Sequence, residues 1–186
     1  MGPLKTSASS PLYLAEVHLG DGLGMLGLTL CPGKKDPNYG WDRDLNADLA
    51  SVARWRAGTV LTLIEDHEFR LLEVEAMGHT VRKLGMDWMH LPIRDVDVPD
   101  LRFETGWRNA GPLLHARLEA GERVAIHCRG GIGRTGLVAA LILVERGWSG
   151  EDAIRHVRAA RPGAIETRAQ ERYVLDAAVN IQADAG

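Results

Sequence analysis

The sequence predicts a single α/β domain with a central, mostly parallel sheet flanked by helices. Two observations carry this. Short continuous apolar runs, such as Thr59 to Ile64, read as strands buried on both faces, and segments with helical spacing alternate with them. The chain has 186 residues, 45% of them hydrophobic, enough for one real core. Residues 1–11, small and polar, are expected to be a loose N-terminal segment, and 12–183 the domain.

In chain order, Leu12 to Leu30 intersperses apolar runs with glycines and predicts short strands joined by tight turns. Cys31 to Trp41, with prolines, glycines and lysines, reads as a loop. Asp44 to Arg56 has Leu45, Leu49, Val52 and Trp55 near helical spacing, with Asp42 or Asp44 as cap and Gly58 as stop. Asp66 to Leu84 is helical in pattern, with a break near Gly78. Met86 to Ile93 reads as a strand closed by Pro92, followed by an acidic loop, Arg94 to Pro99. Phe103 to Ala120 is a helix with a kink or restart at Pro112. Arg123 to His127 is a strand. Gly133 to Arg146 is apolar almost all round and predicts a buried helix. Ser149 with Asp152, and Thr167 with Gln170, resemble capping boxes that open helices to Ala159 and to about Gln182.

Bulk properties narrow the function. A net charge of −3 gives no basic surface for nucleic acid. Two cysteines, Cys31 and Cys128, do not make a disulfide framework, so a reducing compartment and free thiols are expected. Met1 to Pro11 does not read as a secretory signal, and the longest apolar stretch, Leu137 to Val144, is too short to span a bilayer. The expected location is cytoplasmic, with no membrane partner.

The chemistry concentrates in Val124-Ala125-Ile126-His127-Cys128-Arg129-Gly130-Gly131-Ile132-Gly133-Arg134-Thr135-Gly136, a strand, a glycine-rich loop and a helix start. Glycines at 130, 131 and 133 let the backbone turn its N–H groups inward, and such a ring at a helix N-terminus is an anion site. The loop from Arg129 through Ile132 to Arg134 is thus the expected phosphate cradle. Cys128 lies at its base. A free thiol titrates near about 8.5, and a helix N-terminus lowers that. Arg134 can take two phosphate oxygens with its planar fork. Thr135 can donate a hydroxyl hydrogen bond to the thiolate. His127 fits better as a loop-fixing hydrogen-bond partner than as a base.

A leaving oxygen needs a proton, and Asp95, Asp97 and Asp100 all lie in a loop that could supply it. The residues alone do not separate them. Gln170 could position a water or merely complete its capping box. Arg129 could meet an acidic substrate or be solvated. Lys34 and Lys35 could rim the pocket, though a solvated pair is the plainer reading. Cys31 could form a disulfide with Cys128, although sequence separation says nothing of distance. The histidines show no metal-ligand spacing with cysteines or carboxylates, and the scattered tryptophans form no stacking platform.

His-Cys-x-x-Gly-x-x-Arg-Thr-Gly at 127–136 resembles the signature of the protein tyrosine and dual-specificity phosphatase superfamily. Leu91-Pro92-Ile93-Arg94-Asp95 resembles the stretch carrying that family's general acid. Arg161 to Thr167 with Gln170 resembles a C-terminal segment of its small dual-specificity-like members. Gly27-Leu28-Thr29-Leu30-Cys31-Pro32-Gly33 resembles the cyclin-dependent-kinase-associated phosphatase subgroup. The resemblance spans roughly residues 25 to 180. It implies a phosphatase-type phosphate-binding loop between a strand and a buried helix, with Cys128 as nucleophile, Asp95 as acid and then base, and Arg134 on the phosphate. It implies no cofactor and no metal. The substrate would be a phosphorylated protein, through phosphotyrosine or phosphoserine and phosphothreonine, or a small phosphate ester. The loop lacks the extra lysines of phosphoinositide-directed members. Two rivals are a rhodanese-like thiolate-loop enzyme and a phospho-binding module without catalysis.

Overall fold

The computed structural model describes residues 3–184; the first two positions of the expected N-terminal segment lie outside the described residues. Strands β1 (Ala15–His18), β2 (Met25–Thr29), β5 (Ala57–Thr62), β6 (Asp87–His90) and β7 (Arg123–His127) form one sheet in the order β1-β2-β7-β5-β6. Only β1 runs antiparallel to its neighbour; the other pairings are parallel. The mixed α/β architecture with a mostly parallel sheet is as the sequence predicts.

Alternate side chains enter two cores. Val124 and Ile126 of β7, with Leu61 of β5, face helices α4 (Leu101–Glu119), α5 (Gly133–Glu145), α6 (Gly150–Ala160) and α7 (Arg168–Asp184). Ala125 and Val60 face the other way, toward α1 (Leu45–Arg54) and α3 (Met77–Lys83). With both faces covered, the central strands need no polar alternation, which is why they read as unbroken apolar runs. Among the described residues no helix is long and apolar enough to cross a membrane.

Several local expectations are corrected. Residues 31–41 are not plain loop: β3 (Lys35–Asp36) pairs antiparallel with β4 (Trp41–Asp42) around a 3-10 turn at Pro37–Tyr39. Helix α1 is capped by Asp44, whose side chain accepts the Ala47 N–H at 2.7 Å. It ends at Trp55 and Arg56, where φ reaches 66°, and Gly58 lies inside β5. The break after α2 (Asp66–Leu71) falls at 72–76, because Leu72 and Val74 both turn into the core. Gly78 lies within α3, where a Cβ would come within 2.5 Å of the Trp88 ring. Helix α4 runs unbroken through Pro112. Its proline and the carbonyl it frees at Arg108 both lie on the solvent face, where water can take the missing hydrogen bond. The strands predicted to reach Ile64 and Ile93 stop at Thr62 and His90.

The carboxyl ends of β5, β6 and β7 are in register at Thr62, His90 and His127. The start of α2, the acidic loop and the glycine-rich loop therefore emerge side by side, at the edge where parallel sheets bind ligands.

Candidate active site

Cys128 follows β7 and is almost fully buried. Its sulfur accepts the Gly131 N–H at 3.3 Å. Gly131 has φ of 69°, and a Cβ there would lie 2.3 Å from the Thr29 carbonyl. Only glycine fits that turn. Helix α5 begins with no side-chain cap, so its first amides are left for an outside acceptor. The loop's carbonyls are held from behind: Arg161 Nε donates to Gly131 O at 3.1 Å, and Cys31 N to Arg129 O at 3.3 Å. The peptide whose N–H meets the sulfur is held the same way, with Arg161 NH2 donating to Gly130 O at 3.5 Å.

His127 is buried and serves the loop. The Cys128 carbonyl can only accept, so His127 Nδ1 carries the proton, 3.3 Å away. Nε2 then accepts from the Thr62 hydroxyl at 2.8 Å, and Thr62 Oγ1 accepts the Trp88 indole N–H at 2.8 Å. Burial, only partly opposed by the Cys128 carbonyl, lowers the ring to about 4. The unfolded chain binds a proton near its ordinary value, and the folded chain does so only below about 4. Stability is therefore present above the ordinary value and is lost as pH falls toward 4, by on the order of 3 kcal/mol. Urea unfolding across that range should show the loss in the parent and a flatter profile in His127→Asn; parallel profiles would refute it.

Arg134 is buried, and its fork meets Glu68 of α2, with NH1 to Oε2 at 2.6 Å and NH2 to Oε1 at 3.1 Å. NH1 also donates to the Ile93 carbonyl at 3.1 Å, and NH2 lies 2.8 Å from Asp95 Oδ1. Burial alone would lower the guanidinium and raise the carboxyl. The hydrogen bonds between them reverse both, so each stays charged. The Arg134 Nε–H is buried without a partner, a donor left over for an incoming anion.

The three acidic candidates separate. Asp95 is half exposed and faces Arg134. Asp97 Oδ1 accepts the Val98 N–H, turning its own loop. Asp100 caps α4 by accepting the Phe103 N–H at 3.1 Å. Gln170 completes the box with Thr167, and its Oε1 accepts the Glu166 and Thr167 amides. Its Nε2 donates to the Asp97 carbonyl at 3.0 Å, tying α7 to the acidic loop. The expected hydrogen bond from Thr135 to the thiol is not made: its hydroxyl is buried without a partner, while Gly131 serves the sulfur.

Arg129 is not simply solvated. Asp36 accepts from its Nε and NH2 at 3.1 and 3.0 Å, and the guanidinium lies over the Tyr39 ring. Gly130 is exposed and Ile132 half-buried at the loop's mouth. Lys35 pairs with Asp42 at the surface, whereas Lys34 is buried. A cleft of about 360 Å³ opens over Asp95, Arg129 and Gly130, walled by Tyr39, Trp41 and Val96. A larger concavity of about 600 Å³, around Trp148 and His156, holds none of these residues. Cys31 and Cys128 are both free, and burial pushes the Cys31 thiol up, so it stays protonated.

The sequence reading missed Glu68, Asp36 and the Thr62–Trp88 support. Glu68 had a visible signal: its carboxylate, three residues after Glu65, accepts the Glu65 N–H at 2.8 Å, as a helix-opening pair does. Asp36 and Thr62 had none, since their partners are about 93 and 65 residues away.

A thiol in an amide nest at a helix start, beside a buried guanidinium and an aspartate, at the carboxyl edge of a parallel sheet, defines the class of cysteine-based phosphatases. Residues 38–148 match the family described as polymorphic toxin system, DSP-PTPase phosphatase. The mouse protein tyrosine phosphatase type IVA 3 is 33% identical over 119 residues, covering 59% of this chain and 67% of that one. A kinase associated phosphatase structure, with serine replacing the catalytic-site cysteine, superposes with TM-score 0.82 at 25% identity, over 94% of this chain and 98% of the other. The active form of Tk-PTP gives TM-score 0.65 at 28% identity, over 87% and 94%. The chain belongs to the dual-specificity-like protein tyrosine phosphatase family, and the expected likeness to the kinase-associated subgroup is matched by the first of these structures.

Proposed function

We propose that the chain hydrolyses phosphate monoesters on protein side chains through a phosphocysteine on Cys128, with phosphotyrosine as the first substrate and phosphoserine or phosphothreonine as the alternative. The observation that carries this reading is the meeting of Cys128, Arg134 and Asp95 at the uncapped start of α5. The names of the relatives, a protein tyrosine phosphatase and a kinase associated phosphatase, support a phosphoprotein substrate. We take residues 12–183 as the unit that carries the activity. Two free cysteines support a reducing, cytoplasmic setting; neither nucleic acid nor membrane has a part in the reaction.

In the first step the thiolate attacks phosphorus in line. The S–P bond forms as the P–O bond to the leaving group breaks, and Asp95 gives that oxygen a proton. Arg134 exchanges its contact with Asp95 for phosphate oxygens while Glu68 keeps its plane fixed, and the loop amides from Arg129 to Gly133 bind the remaining oxygens. In the second step water attacks phosphorus, the S–P bond breaks, and Asp95 takes the water's proton. Gln170 steadies the acid loop through the Asp97 carbonyl and keeps one N–H for that water. Thr135, placed beside the loop with its hydroxyl uncommitted, can donate to the departing sulfur.

Asp95→Asn tests this. With a poor leaving group such as a phosphotyrosine peptide, kcat is expected to fall by about 10²- to 10³-fold. With a nitrophenyl phosphate, whose leaving group needs no proton, formation of the phosphoenzyme should fall far less. Equal loss on both would remove Asp95 from the acid role, and no loss on either would favour a thiolate enzyme of another kind. A parent protein that turns over neither substrate under reducing conditions would favour a binding module.

A further inference from the structure

A buried cation in the wall of the same cleft, against the phosphate loop, has no role in the steps above. Lys34 is only 4% exposed. The nearby carboxylates are committed elsewhere, Asp42 to Lys35 and Asp36 to Arg129. Its ammonium donates to the Arg129 carbonyl at 3.2 Å, the same oxygen that accepts the Cys31 N–H, and lies over the Trp41 ring at 4.8 Å from the centroid.

The segment around Lys34 is firmly fixed. Its own N–H donates to the Cys31 carbonyl, and its carbonyl accepts from Arg43 N at 3.1 Å. Arg43 and Asp48 form a buried two-point pair, and Asp48 also accepts the Gly33 N–H at 2.8 Å. A lysine free to swing out would do so, because a buried ammonium without a counter-ion is costly. Burial does pull Lys34 below its ordinary value, while negative charge at Asp36, and at Cys128 when it is ionised, pulls it back.

We propose that Lys34 is a positioning residue of the phosphate loop: it holds the Arg129 carbonyl and places a positive charge with no ion-pair partner beside the Cys128 loop, where a sulfur anion supplies the missing counter-charge. The proposal rests on Cys128 being the nucleophile. The attraction is mutual, so removing the cation disfavours the anion by the same amount. In sequence the Lys34-Lys35 pair reads more plainly as solvated than as a pocket rim; Lys34 takes the rim and Lys35 the surface.

The test is the pH dependence of iodoacetamide alkylation of Cys128 in the full chain, with the modified peptide located by mass spectrometry. Lys34→Gln can keep a hydrogen bond to the carbonyl and removes only the charge. Its alkylation midpoint is expected to rise by about one pH unit, a tenfold smaller thiolate fraction below the midpoint, and the acid limb of kcat/KM should move the same way. Lys34→Arg, which restores the charge, should return both to near the parent values. A parent-like midpoint in Lys34→Gln overturns the proposal. So does a raised midpoint in folded Lys34→Arg, which decides the matter if Lys34→Gln fails to fold. Failure of the phosphatase reading would look different: the parent would turn over no aryl phosphate, while alkylation would still report on Lys34.

Discussion

Cys128→Ser is expected to bind a phosphotyrosine peptide and release no phosphate. Turnover should drop by on the order of 10⁴-fold or more, because a serine hydroxyl is not ionised at neutral pH and no neighbour can ionise it. His127 is the adjacent imidazole, but both ring nitrogens are committed, one to the Cys128 carbonyl and one to Thr62. It cannot serve as the base that a serine hydrolase supplies. Binding should survive because the anion site is made of backbone and of Arg134, and a serine oxygen can still accept the Gly131 N–H that the sulfur now takes. Phosphate release and peptide binding measured on the same preparation check both halves. Residual turnover within tenfold of the parent would mean that sulfur is not the attacking atom. Loss of binding alongside turnover would mean that the thiol holds the loop open.

The fold and the loop were legible in the sequence for one physical reason: both are local. A buried parallel strand is a short apolar run, an anion-binding turn is a cluster of glycines, and a cap is one side chain placed before a helix. Gly131 against Thr29 is a long-range contact, yet its glycine is visible because the positive φ demands it. The errors have the same origin in reverse. In sequence Gly58 and Gly78 look like helix breakers, but their small size serves a contact with Glu122 and Trp88 that no local pattern encodes. Pro112 was read as a kink because the sequence does not show which face of α4 meets water. Among the site residues, Asp95 could be separated from Asp97 and Asp100 only by resemblance. In the structure Asp95 and Asp97 each accept the next residue's amide and Asp100 caps a helix, and of the three it is Asp95 that also meets Arg134. Glu68 was passed over because an acidic residue in the first turn of a helix has an ordinary explanation in the helix dipole.

Glu68 is where the largest loss of stability is expected. Its carboxylate and the Arg134 guanidinium are 2% and 1% exposed, and the pair is joined at two points. Taking away one member leaves the other charged and dry, which typically costs about 3–5 kcal/mol. Glu68→Ala should therefore lower the urea midpoint by an amount of that order. Glu68→Gln, which keeps the shape and one acceptor, should lose less. In both, Arg134 retains the Ile93 carbonyl and Asp95 as partners, so the guanidinium is expected to be drawn toward Asp95 and out of line with the phosphate. That predicts a fall in kcat beyond what instability explains, measured well below the unfolding midpoint. A dianion bound in the loop would supply the missing negative charge. Inorganic phosphate should then restore the urea midpoint of Glu68→Gln more than it raises that of the parent. If the variants unfold at the parent's urea concentration, the pair contributes no net stability. If they are destabilised but phosphate has no larger effect than on the parent, Arg134 is not the group that meets the anion.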